Sequence, residues 1–199
     1  MKVLQILPQL NIGGVERGTL DLSNALIQKG HESFVISGGG ILVDELEQCG
    51  AKHYEIPVHI KSLRTLSQAK SLSEIISSVD PDIVHVRSRM PAWVNFRAFK
   101  MLQKKPLLVS TFHGLYSFPI YSKVMSFVDH SIAISRTVEN YILENYKLDK
   151  NDITVIPRGC DPVEFNNDEI NPDDKAKIIN DFPQIFGKKV LTIPARITK

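Results

Sequence analysis

Short apolar runs alternating with stretches of helical length, from the first residues to the last, constrain this chain more than any other feature. The runs are KVLQIL (2–7), ESFVIS (32–37), KHYEI (52–56), DIVHV (82–86), PLLVST (106–111), HSIAIS (130–135), ITVI (153–156) and KVLTI (189–193). Several are apolar nearly throughout, the pattern of strands covered on both faces rather than of a half-solvated sheet. Between them, residues 14–29, 41–49, 63–79, 91–104, 120–127, 136–147 and 172–181 read as helices. The first carries Val15, Leu22, Ala25 and Leu26 on one stripe and stops at Gly30. The one from 136 carries Val138, Tyr141, Ile142 and Asn145, with Ser135 placed to cap it, and Pro91 suits a first helical turn. Such alternation predicts an α/β fold, a doubly wound, mainly parallel sheet with right-handed crossovers.

Length and composition bound the rest. With 199 residues, 43% hydrophobic and 23% charged, the chain can bury one sizeable core. Its net charge of +2 gives no sign of a nucleic-acid partner. Cys49 and Cys160 lie far apart without metal spacing, and no Asp-x-Asp metal motif occurs, so neither a disulfide framework nor a metal cofactor is expected. The first residues enter a strand without a signal-peptide layout, and no apolar run approaches spanning length. A cytoplasmic protein is expected, with surface attachment to a membrane left open. The stretch 157–174, rich in Pro, Asn and Asp, reads as a connector. Domains are therefore expected at 1–157, with a linker and connecting helix at 158–188 and the first strand of a second unit at 189–199.

In an open α/β sheet, ligands gather outside the carboxyl ends of the strands. There the sequence places PQLNIGG, SGGG (37–40), RSRMPAW (87–93), FHGLY (112–116) and PRGCD (157–161). Gly13 and Gly14 at a strand-to-helix junction allow close backbone approach, and free N–H groups at a helix start can hold phosphate. Neither a G-x-G-x-x-G nor a G-x-x-x-x-G-K-[ST] pattern is present, and Glu16 in the first turn already answers the helix dipole. A plain turn is the alternative. His113, ending its strand before Gly114, can donate to a sugar hydroxyl or oxyanion, act as a base, or simply be structural. His85 is expected to be buried; His31, His53, His59 and His130 are read as structural or surface.

From Ile83 to Val128 no acidic residue occurs, while Arg87, Arg89, Arg97, Lys100, Lys104, Lys105 and Lys123 alternate with Trp93, Phe96, Phe99, Phe112, Tyr116, Phe118, Tyr121 and Phe127. A basic face with aromatics suits an anionic membrane surface or a phosphorylated acceptor. Core aromatics beneath solvated cations are the equal alternative.

The stretches GGVERGTLDLSNALIQKGHE, PDIVHVRSRMPAW, STFHGLYSF, IAISRTVENYILENY, VIPRGCDPVEF and LTIPARITK occur in the order and spacing of one family. The chain resembles the N-terminal, Rossmann-like half of glycosyltransferase family 4, retaining enzymes of the two-lobed GT-B fold. The RSRxPAW and IPRGxD variants resemble a bacterial subgroup of lipopolysaccharide and surface-polysaccharide assembly. The resemblance implies an acceptor-side domain of an enzyme moving a sugar from a nucleotide-sugar to a glycan or lipid-linked acceptor, without an essential metal. It implies that Gly13 and Gly14 lie under the donor diphosphate and sugar, that Arg196 reaches the diphosphate, and that His113 is the catalytic residue facing the reacting sugar or acceptor. Arg87, Arg89, Trp93, Tyr116 and Arg158 are the expected acceptor-binding residues. The family's donor-side lysine and paired glutamates fall outside these residues, so the chain alone is expected to be nearly inert. Ala195 and Cys160 stand where the family usually has glycine and valine. SGGG receives no role. A non-catalytic binding module associated with membrane or polysaccharide is the rival, and a GT-B epimerase a further one.

Overall fold

The apolar runs pair as expected: strands β1 (Lys2–Ile6), β2 (Glu32–Ser37), β3 (Lys52–Glu55), β4 (Ile83–Val86), β5 (Leu107–Phe112), β6 (His130–Ala133) and β7 (Ile153–Val155) form one sheet. Its order is β3-β2-β1-β4-β5-β6-β7, and every pairing is parallel. The computed structural model describes residues 1–60, 63–116, 119–159, 162 and 171–192. Strand order reverses between β1 and β4, which opens a crevice at their carboxyl ends. The architecture is the expected α/β Rossmann-like one.

Helices α1 (Gly14–Gln28), α2 (Val43–Gln48), α3 (Ala69–Val79), α4 (Arg89–Phe99), α5 (Pro119–Ser122) and α6 (Arg136–Asn145) make the crossovers. Leu4, Ile6, Phe34 and Ile36 point to the larger core, where they join Leu72 and Ile76 of α3, Val94 and Ala98 of α4, and Ile142 of α6. Alternate residues point the other way, and Val35 packs with Leu7, Leu10, Leu20 and Leu46 under α1 and α2. Ser135 caps α6 by accepting from the Val138 N–H at 3.2 Å, as its position predicts. Gly30 follows the end of α1 at φ 76°, the left-handed conformation a helix stop favours.

Several elements differ from expectation. The predicted 63–79 helix is a 3₁₀ segment at Leu63–Gln68 followed by α3, helix α4 begins two residues before Pro91 and ends at Phe99, and the predicted 120–127 helix divides into α5 and a 3₁₀ turn at Lys123–Ser126. The buried face of α1 is Thr19, Leu20 and Ser23, while Ala25 is exposed. The apolar stripe is displaced because this helix faces a polar group in the sheet, described below.

Met1–Arg158 is one compact unit and Gly159–Lys199 a second. In the second, α7 (Pro172–Asp181) is capped by the Asn171 side chain, which accepts from the Asp173 N–H at 3.0 Å. Residues 189–192 of the predicted last strand are not in strand conformation, since a strand requires a paired neighbour. The remainder of that strand, Arg196, Phe118 and Cys160 lie outside the described residues.

The SGGG stretch has a definite structural part. The Gly38 N–H donates to the Pro8 carbonyl at 2.9 Å, Leu10 N–H to Gly39 at 2.8 Å, and Leu42 N–H to Leu10 at 2.9 Å. These bonds brace the segment between β1 and α1 from behind. At Gly40, at φ 142°, any Cβ would collide with the Leu10 and Asn11 backbone. Gly30 also has positive φ but faces open space. Gly40→Ala is therefore expected to cost about 3 kcal/mol in urea unfolding, against about 1 kcal/mol for Gly30→Ala. Equal costs would mean that the Leu10–Asn11 segment yields freely.

Candidate active site

Gln5 stands in the middle of an otherwise apolar strand and is completely buried. A buried carboxamide must find partners for its donors and its acceptor. Its Nε2 donates to the Thr19 carbonyl at 3.3 Å and to Ser23 Oγ at 3.0 Å, both on α1. Ser33 Oγ of β2 donates to the same Ser23 hydroxyl at 3.0 Å. Its Oε1 accepts from Arg87 Nη1 at 2.7 Å. Polar groups from β1, β2 and α1 thus meet the first residue after β4.

Arg87 is held there by its backbone as well, its N–H donating to the Ile6 carbonyl at 2.9 Å. The side chain is buried, and its Nε has no hydrogen-bond partner among the described residues. Burial, together with the nearby Arg158 charge, lowers its pKa to about 10, against the opposing attraction of Asp21 and Glu16. It remains a cation at neutral pH.

Arg158, three residues after β7, donates from Nη1 to the Gly14 carbonyl at the start of α1. Its Nη2 lies 3.3 Å from His113 Nδ1. A guanidinium only donates, so Nδ1 must be the accepting, unprotonated nitrogen, and the neutral imidazole carries its proton on Nε2. That Nε2 is buried and meets no partner among the described residues. Burial, then the Arg87 and Arg158 charges, push the His113 pKa down to about 3. His113 is therefore a neutral hydrogen-bond donor at physiological pH.

Gly18 lies where both arginines converge. A Cβ there would stand 3.0 Å from Arg158 Nη1 and 3.2 Å from Arg87 Nη2. At Gly13 the space a side chain would need is filled by the Glu16 carboxylate, folded back on the first turn.

These groups occupy the carboxyl edge of the sheet beside the crevice of strand reversal, where α/β proteins bind ligands. The chain matches Glycosyltransferase Family 4 over residues 12–164. It belongs to Glycosyltransferase Family 4. A glycosyltransferase from Rickettsia africae is 35% identical, with a TM-score of 0.75 over 92% of this chain and 49% of that one. A human protein, one of the subunits of phosphatidylinositol N-acetylglucosaminyltransferase, is 25% identical over 85% of this chain and 38% of its own length. The lipopolysaccharide outer core galactosyltransferase WaaB shares the fold, at 18% identity and a TM-score of 0.64 over 80% of this chain and 46% of that one. The chain thus spans about half or less of each of these relatives.

Of the residues expected at a Glycosyltransferase Family 4 site, Gly14, Arg87, His113 and Arg158 come together. Gly13 adjoins them under Glu16. Arg89, Trp93 and Tyr116 form a neighbouring group. The Arg89 guanidinium lies 4.9 Å from the Tyr116 ring and 5.4 Å from that of Tyr121. Trp93 Nε1 donates to the Tyr121 carbonyl at 2.9 Å. Tyr116 stacks 5.4 Å from Phe112, its carbonyl accepts from the Tyr141 hydroxyl, and burial raises its phenol. The other aromatics of the basic stretch that bear on its reading, Phe96 and Phe99, pack against the core, and Lys104 pairs with Asp80. His85 is buried, as expected, 2.7 Å from Thr111 Oγ1. No helix among the described residues is long and apolar enough to cross a membrane.

Gln5, Gly18, Ser23 and the bracing glycines were not among the expected site residues. Two of them carried a signal: a glutamine inside an apolar strand, and a glycine inside a helix where alanine would be favoured by about 1 kcal/mol.

Because the His113 pKa falls from 6.5 to about 3 on folding, the unfolded chain binds a proton in that interval that the folded chain refuses. Its contribution to stability is complete above about pH 6.5 and is lost as pH falls, with a slope of about 1.4 kcal/mol per unit at most. His85 and His53, lowered chiefly by burial, act in the same direction. His113→Asn is expected to flatten the dependence of the urea midpoint on pH between 6.5 and 4. An unchanged slope would mean that His113 protonates normally in the fold.

Proposed function

We infer that this chain is the acceptor-side domain of a retaining glycosyltransferase, acting on a nucleotide-sugar donor and a glycan or lipid-linked acceptor of the cell envelope. The observation that carries this reading is the meeting of Arg87, His113 and Arg158 at the carboxyl edge of the sheet, against the first turns of α1. The names of two similar proteins, one belonging to a phosphatidylinositol N-acetylglucosaminyltransferase and the other a lipopolysaccharide outer core galactosyltransferase, favour a lipid-linked acceptor.

In this reading His113 touches the reacting sugar or the attacking acceptor hydroxyl through Nε2–H. It works as a neutral donor, since imidazolium is disfavoured by burial and by two guanidinium groups. Arg158 holds the ring in that tautomer and ties it to the start of α1. Gly13 and Gly14 present backbone to the donor, Arg196 reaches its diphosphate, and Arg89, Trp93 and Tyr116 line the acceptor path. Negative charge develops on the leaving nucleoside diphosphate, and cationic side chains rather than a metal stabilise it.

The protein in its full reading frame, screened against a panel of nucleotide sugars with lipid-linked and free glycans, tests this. One donor is expected to be consumed only when acceptor is present, with retained anomeric configuration, and His113→Ala is expected to lower kcat about 10²-fold. Transfer that is indifferent to His113→Ala, or inverted product, would contradict the reading.

A further inference from the structure

The basic, aromatic stretch of residues 83–128 divides between the two edges of the sheet. Arg87, Arg89, Trp93 and Tyr116 belong to the carboxyl edge described above. The rest lies toward the amino edge. There the entry to β5, the end of α4 and the turn before β6 enclose an open groove of about 550 Å³. Phe99, Pro106, Leu107, Leu108, Phe127 and Val128 form its apolar walls. Leu107 is 49% exposed and Phe127 40%, so two large apolar side chains face water within one concavity. Apolar residues exposed singly need no explanation, but a concave group of them at ligand size does.

The polar groups of the groove decide what can fill it. Asp129 is tied to the floor: its Oδ2 accepts from the Leu108 N–H at 2.7 Å, and its own N–H donates to the Leu108 carbonyl at 2.9 Å. The Leu107 N–H donates to the Asp82 carbonyl at 3.0 Å and the Phe127 N–H to the Val124 carbonyl at 3.2 Å. With these donors matched, the groove presents no row of free N–H groups to an added peptide strand. Ser126 gives its hydroxyl hydrogen to the Lys123 carbonyl at 2.7 Å. Among the lining residues the cation is Lys105, which is exposed and makes no ion pair among the described residues. Its neighbour Lys104, by contrast, is bound to Asp80 at 2.8 Å. Lys100 lies 4.4 Å over the ring of Phe96, which packs 5.3 Å from Phe127, and adds positive potential behind the same wall. One carboxylate thus stands against two cations. Apolar walls with an unpaired ammonium at the rim complement a molecule that joins an apolar chain to one acidic head.

We propose that this amino-edge groove is a second binding site, for a single-chain amphiphile with an anionic head, a long-chain alkyl phosphate or carboxylate. The chain lies along Leu107 and Phe127 over Phe99, and the head meets Lys105. The groove stands at the start of β5, whereas His113 follows its last residue, about 17 Å of strand away. An occupant of the groove therefore leaves the carboxyl edge open. The site goes beyond the glycosyltransferase reading and does not depend on it.

Isothermal titration of the 199-residue chain with decyl phosphate tests it, below the micelle-forming concentration and at constant ionic strength, with amide NMR locating the site. Decyl phosphate is expected to bind saturably at one site, with amide shifts confined to residues 99–108 and 126–129. Butyl phosphate, which lacks most of the chain, is expected to bind at least tenfold more weakly. Lys105→Ala, at an exposed position, is expected to weaken decyl phosphate about fivefold while leaving neutral decanol unaffected. Lys105→Arg is expected to retain the affinity, and Lys104→Ala to leave it unchanged. Absence of saturable binding, equal binding of butyl phosphate, or indifference to Lys105→Ala would overturn the site. Shifts centred on Arg87 and His113 would also overturn it, by assigning the amphiphile to the carboxyl edge. So would binding to anionic phosphatidylglycerol vesicles with none to monomeric decyl phosphate, which would make this face a membrane surface instead.

Discussion

A fully buried carboxamide costs stability unless its oxygen and its two hydrogens are all matched, and in this chain the matching of Gln5 organises the whole carboxyl edge of the sheet. Its amide draws Thr19 and Ser23 of α1 onto β1 and fixes the rotation of that helix. Its oxygen draws the Arg87 guanidinium inward, beneath the same helix. With α1 so turned, Gly18 faces the arginines and the Gly14 carbonyl is placed to accept from Arg158. Replacing the glutamine by a leucine of similar size would satisfy the strand, but would free the helix rotation on which the site depends.

From that placement follows the protonation of His113. Two guanidiniums and burial exclude the imidazolium, and the bond from Arg158 selects which nitrogen keeps its proton. A histidine so held makes a poor proton reservoir and a good fixed dipole. Under the proposed function, such a site would stabilise charge and orient hydroxyls, the work that sugar transfer from a diphosphate leaving group requires of side chains. The braced backbone between β1 and α1 serves the same end, since preorganised donors need not reorganise during reaction.

Much of this was legible in the sequence. Each strand of the sheet falls within an apolar run, β5 alone passing its end by one residue at Phe112, and Gly30, Ser135 and the residues after β1 and β4 stand where local pattern placed them. Local pattern failed where a distant partner decided the outcome. The buried face of α1 is polar because Gln5 lies across from it, so its apolar stripe misled. SGGG looked like spare glycines because its contacts are with Pro8, Leu10 and Asn11, nearly thirty residues earlier. The pairing of Arg158 with Gly14 spans 144 positions, beyond anything periodicity can report. Residues 189–192 show the converse: apolar pattern alone does not make a strand that has no paired neighbour among the described residues.

Arg158 and burial together hold His113 neutral with its proton on Nε2. Nitrogen-15 NMR of the imidazole, followed as pH is lowered from 7 to 5, reads this directly. An unprotonated Nδ1 and a protonated Nε2 are expected throughout that range, with the tautomer preference lost in Arg158→Gln. An imidazolium spectrum near pH 6, or a proton on Nδ1, would contradict it.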